Sequence, residues 1–113
     1  METRHAHSDS DFAKQMAAGM EKMMRDMHAA RPTGDPDVDF LAMMIPHHEG
    51  AIEMARLALV HGRDPATRRL AEDIITSQTV EIQGMKRRLE MLRGGRDSEA
   101  DFPALGGTRG PAR

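Results

Sequence analysis

A chain of 113 residues with a formal charge of −2 and no cysteine is sized for one domain with a modest core. Its charge balance offers no basic surface for nucleic acid, and no apolar run approaches the ~20 residues that span a bilayer. The composition departs from the ordinary in one respect: 11 methionines and 6 histidines, with no tryptophan or tyrosine.

Residues 1–9 are polar and read as a mobile arm carrying His5 and His7. Asp9 or Ser10 can cap a first helix running to about His28. Its apolar stripe is Phe12, Met16, Met20, Met23 and Met27, which at ~100° per residue lies within an arc of roughly 80°. His28 is placed to serve the C-terminal end of that helix. Arg31-Pro32-Thr33-Gly34 breaks the pattern. Asp35 then caps, and Pro36 suits the first turn of a second helix that ends near His61-Gly62. Pro46 lies inside it, cannot donate to the carbonyl of Ala42, and predicts a kink. Asp39 is a helix-start carboxylate, and His61 a candidate cap.

Asp64-Pro65 repeats the cap-plus-proline start, and a third helix runs to about Arg93 before Gly94-Gly95. Its expected buried stripe is Leu70, Ile74, Gln78, Ile82, Met85, Leu89 and Leu92, with Ala71 and Ile75 beside it. Residues 94–113 lack periodicity and read as a disordered tail that Phe102 and Leu105 pin weakly. Residues 10–93 thus form one all-α domain, an antiparallel helical hairpin preceded by a methionine-rich helix. The second helix is apolar over so much of its circumference that it wants two neighbours: the first helix, or a homodimer partner that completes a larger bundle.

Met43-Met44-Ile45-Pro46-His47-His48 holds two thioethers and two imidazoles within six residues. These ligand types suit monovalent copper. His47 follows Met43 by one turn and His48 follows Met44 by one turn, while Met54 shares the face of His47. Met20, Met23 and Met27 can close the site from the first helix. The competing reading is that methionine stripes at helical spacing are soft core packing. Gln78 and Glu81 lie on the apolar stripe of the third helix, where a carboxylate needs a partner. Contact of both with the Pro46 region is expected, with Glu81 fixing a histidine tautomer from behind the ligands. Lys86-Arg87-Arg88 reads as a solvated face. The only Glu-x-x-His is Glu2 to His5, His48-Glu49 does not continue into a zinc motif, and no phosphate loop or nucleophile elbow is present.

Asp39-Phe40, Met43 to His48, Ala51, Met54-Ala55, then Ala71, Ile74, Gln78, Glu81-Ile82, Met85 and Leu89 resemble the CopM-like bacterial proteins, the family of the domain of unknown function three hundred and five. The resemblance covers about residues 35–92. It implies a ferritin-like helical bundle, export to the periplasm, copper binding and a role in copper tolerance, with His47, His48, Met43, Met44 and Met54 as ligands. Members often carry tryptophan where this chain has Arg88.

The resulting expectation is a periplasmic or secreted protein that binds copper, chiefly Cu(I) and with it Ag(I), without chemical turnover. It would sequester the ion or pass it to copper-transport partner proteins. Methionine and histidine suit an oxidising compartment because they carry no thiol to be lost to disulfides. No signal peptide is visible in residues 1–12. The alternatives are a structural or interaction bundle with a methionine-rich dimer core and no metal role, and a metalloenzyme or a zinc or iron protein.

Overall fold

A computed structural model describes the backbone of residues 2–94 and the side chains of residues 11–94. These residues form three helices and no strand: α1 (Glu2–Ala29), α2 (Pro36–His61) and α3 (Pro65–Gly94). No helix among them is long and apolar enough to cross a membrane.

The two internal starts follow the expected chemistry. Asp35 caps α2 by accepting from the Asp37 amide at 3.0 Å, and Pro36 opens the first turn. Asp64 accepts from the Thr67 amide at 2.9 Å and from its hydroxyl at 2.6 Å, ahead of Pro65. The loop between α1 and α2 turns at Gly34, whose φ of +94° is a conformation that a Cβ disfavours. Asp39 reaches back to that loop and accepts from the Thr33 amide, the Thr33 hydroxyl and the Gly34 amide. Asp39 is therefore committed to a turn. These donors hold its carboxyl below the usual range, the Thr33 hydroxyl most strongly, and the Thr67 hydroxyl does the same for Asp64.

α1 starts earlier than a cap at Asp9 or Ser10 would place it. Nothing in Glu2–Ser10 is proline or glycine, so the helix continues through both residues to Glu2. The arm over residues 1–9 thus overlaps the start of α1, and the tail expected over 94–113 lies outside the described residues beyond Gly94. α2 runs unbroken through Pro46, whose ring is buried.

α2 is the middle element: α1 packs on one side of it and α3 on the other, and α1 and α3 do not meet. Residues 62–64 return the chain so that α3 runs antiparallel to α2. Arg68 stitches this corner by donating to the carbonyls of Leu59 and Gly62. The α2–α3 core is Val38, Ile45 and Ile52 against Ile82 and Leu89, with Ile75, Met85 and Leu92 at its edge. Ala55 and Ala71 are buried as well. The stripe of α3 is narrower than its periodicity suggests, because Leu70 and Ile74 point outward. α2 covers only the arc centred on Ala71, Ile82 and Leu89. No large side chain among the described residues is fully buried, as befits a single layer of helices.

α1 is held to α2 at two places. His61 donates from Nε2 to Gln15 Oε1 at 2.7 Å, and its ring meets Phe12 edge-on at 5.4 Å. His61 is thus an inter-helix tie rather than a cap for α2 alone. Lower down, Met23 rests on Gly50: a Cβ at position 50 would lie 2.6 Å from the Met23 sulfur.

Candidate functional site

His47 and His48 are ~100° apart around α2, so one turn of helix aims them at different neighbours. His47 faces outward and is exposed. His48 turns toward α3, where its side chain is only 13% exposed, and its Nε2 donates to Glu81 Oε1 at 2.7 Å. The two rings remain 6.2 Å apart, centre to centre. A carboxylate only accepts, so Nε2 carries the proton, and in the neutral ring the lone pair is on Nδ1.

That Nδ1 is buried, and no protein group lies within hydrogen-bonding distance of it. Gln78 Oε1, one turn from Glu81 on the same helix, is buried and unpaired in the same way. Buried polar atoms without a partner are uncommon in a folded protein, and an ordered water or a ligand would complete them. Glu81 does contact this region through His48, while Gln78 Oε1 forms no hydrogen bond with a protein group. Glu81 is also not a buried carboxylate: its side chain is 58% exposed, and it reaches His48 from the rim of the crevice. The apolar periodicity of α3 placed it too far inward.

The methionines divide between two sides of α2. Met44, half-buried, precedes His48 by one turn. Met85 follows Glu81 by one turn on α3 and packs against the core cluster. Sequence reasoning counted Met85 only as core. The signal available was its position four residues after Glu81, which puts it over the same crevice. On the other side, the antiparallel register fixed by Gln15–His61 and Met23–Gly50 sets Met27 level with Pro46 and Met20 level with Glu53 and Met54. Met23, Met27 and Met54 are half-buried there, while Met20 and Met43 are exposed. The residues proposed as one site therefore fall into two groups. Met44 and His48 with Gln78 and Glu81 lie at the α2–α3 crevice. Met20, Met23, Met27, Met43 and Met54 lie with His47 along the α1–α2 side.

Among the described residues, no three His, Cys, Asp or Glu side chains converge as a metal cluster would. Any cation there would draw on thioether sulfur beside a single imidazole, donors that favour soft ions, with the harder amide oxygen of Gln78 as a lesser contributor. A groove of about 710 Å³ opens on the opposite side of the layer between α1 and α2. Lys22, Asp26, Glu49 and Glu53 line it, with neither histidine of the pair. Lys22 there bonds Asp26 at 2.6 Å, and this hydrogen bond raises its pKa.

A family model described as "Domain of unknown function (DUF305)" matches residues 1–89. An uncharacterized protein of Acanthamoeba polyphaga mimivirus is 45% identical over 49 residues, which are 43% of this chain and 32% of that protein. The chain thus matches about a third of that relative's length.

Proposed function

The chain belongs to the family described as Domain of unknown function (DUF305), and on that footing we propose that it binds copper, chiefly Cu(I), and sequesters it or passes it on without chemical turnover. The observation that carries this reading is the buried lone pair of His48 Nδ1, orphaned in a crevice while Glu81 holds the opposite nitrogen. A carboxylate behind an imidazole is the usual support of a metal-binding histidine, because it fixes the tautomer and makes the free nitrogen more basic. Met44, one turn from His48, and Met85, one turn from Glu81, would supply soft sulfur, and Gln78 an amide oxygen. His47 with Met43, Met54 and the α1 methionines offers a second, more exposed set of soft donors. Ag(I), with the same preference for sulfur, would occupy the same groups.

The ferritin-like bundle, the role in copper tolerance and the periplasmic or extracellular setting belong to this same reading. They are supported by the family resemblance and by a donor set free of thiols. A packed bundle with no metal role would instead satisfy His48 and Gln78 with an ordered water.

Titration of Cu(I) against a competing chelator separates the two. His48→Ala is expected to lower affinity at least ~100-fold and His47→Ala by less, with helix content retained in both. Met20, Met23 and Met27 changed together to leucine keep the fold, since the swap nearly conserves volume. They weaken retention only to the extent that those sulfurs ligate. Affinity indifferent to His48→Ala would remove the crevice as the site, and wild-type affinity no better than that of an unstructured histidine-containing peptide would remove the copper reading itself.

A further inference from the structure

We propose that a second copy of this chain covers the methionine-rich side of the helical layer. The two sides of the layer differ in charge. Lys86 bonds Glu49 at 3.3 Å on one side, which also carries the groove of Lys22, Asp26 and Glu53. The His48–Glu81 pair marks the other. On that second side, at ~100° per residue, the arc of α2 between its two neighbours holds Phe40, Met43, Met44, His47, Ala51 and Met54. No Asp, Glu, Lys or Arg falls within it from Phe40 to Ala58. Phe40 is 59% exposed there. Met20 and Met24 of α1 flank this arc on one edge, and Leu70 and Ile74 of α3 on the other, all four exposed.

Scattered apolar side chains need no explanation, but a contiguous face of them does. The 26 residues of α2 extend ~39 Å, and with α3 beside it at a spacing of ~10 Å the face offers roughly 800 Å². A stable dimer needs about that area from each partner.

The occupant follows from chemistry. Residues 95–113 contain only Phe102 and Leu105 as large apolar side chains, too few to cover the face. An anionic membrane would require a rim dominated by Lys and Arg, whereas here Arg25 on α1 is accompanied by Glu21 and Arg88 on α3 by Glu81. A second copy is self-complementary. The charged residues on this stripe of α3 are Glu81 and Arg88, of opposite sign and about two turns apart. A second copy packed about a two-fold axis therefore meets a stripe without net charge.

Sedimentation equilibrium of the metal-free full chain across the micromolar range tests this independently of copper binding. The expected result is twice the chain mass. Phe40→Glu and Ile74→Glu should each raise the dimer dissociation constant at least ~100-fold with unchanged far-UV circular dichroism. Val60→Glu, also exposed but on the Glu49 side, should leave it unaltered. A wild type that stays monomeric overturns the proposal. A dimer indifferent to Phe40→Glu and Ile74→Glu, or broken by Val60→Glu, overturns it equally. If either variant loses helix content, the other variant and the wild-type mass still decide.

Discussion

Gly50 and Gly19 have the same residue type in the same kind of element and opposite reasons for being there. Glycine inside a helix costs about 1 kcal/mol relative to alanine. At position 19 nothing lies within 4 Å of an added Cβ, so Gly19→Ala should gain about that amount. At position 50 the added Cβ would meet Met23 at its sulfur and at Cγ, 2.9 Å away. Overpacking of this kind costs about 1–3 kcal/mol, which exceeds the propensity gain. Gly50→Ala is therefore expected to destabilise by about 1 kcal/mol in urea unfolding. Trimming Met23 to alanine in the same chain should cancel part of that loss, because the two changes share one contact. A stabilised Gly50→Ala would mean that Met23 swings aside freely, and that α1 is not seated on α2 by this contact. His47 and His48 teach a related lesson. Their adjacency put two imidazoles in one motif, but a single residue step on a helix turns one ring into the α2–α3 crevice and the other outward.

At the level of the helices, the starts and the loop before α2 rest on aspartates near the surface. Asp39 and Asp64 are held below the ordinary carboxylate range by the hydroxyls and amides of Thr33 and Thr67. A carboxyl whose folded pKa lies below its unfolded value adds stability above the unfolded value, and loses it as pH falls through the folded one. The melting temperature should accordingly stay level from neutral pH down to about pH 5 and drop below about pH 4. Asp64→Asn keeps an acceptor for the Thr67 amide but cannot titrate, so it should shrink the acid drop while changing the neutral-pH value little. An acid profile identical to wild type would remove Asp64 from the list of responsible groups. Sequence spacing located the caps Asp35 and Asp64, because capping is local and the partners lie within a few residues, but it did not foresee that Asp39 reaches back to Thr33 and Gly34. It did not locate the start of α1, since both expected caps, Asp9 and Ser10, are also tolerated inside a helix.

Across the whole molecule, the single-layer arrangement ranks the helices by how much holds them. α2 is flanked on two sides, α3 by the full length of the hairpin, and α1 only by α2. The ties of α1 are the Gln15–His61 bond with the Phe12 contact, and Met23 on Gly50. Amide hydrogen exchange should therefore show α1 opening at lower free energy than the α2–α3 hairpin, with residues around Ile45, Ile52 and Ile82 the slowest. Uniform protection across all three helices would show that α1 unfolds only with the rest, and would require a further contact to hold it. The exposed positions of Leu70, Ile74 and Phe40 belong to this scale too. Their periodicity marks them as apolar partners, but periodicity cannot say whether the partner is in the same chain.

The amino-acid order alone determined the number of helices, both proline-led starts, the antiparallel return after His61 and the abundance of thioether side chains. Each of these depends on spacing and side-chain chemistry within a few residues. Only the tertiary arrangement decided that His48 rather than His47 turns in against α3, that Glu81 reaches it from an exposed rim, that Gln78 Oε1 is left without a protein partner, and that one side of the layer carries no charge around α2. Those outcomes depend on the angle at which α1 and α3 meet α2, and that angle is set by packing between residues far apart in the chain.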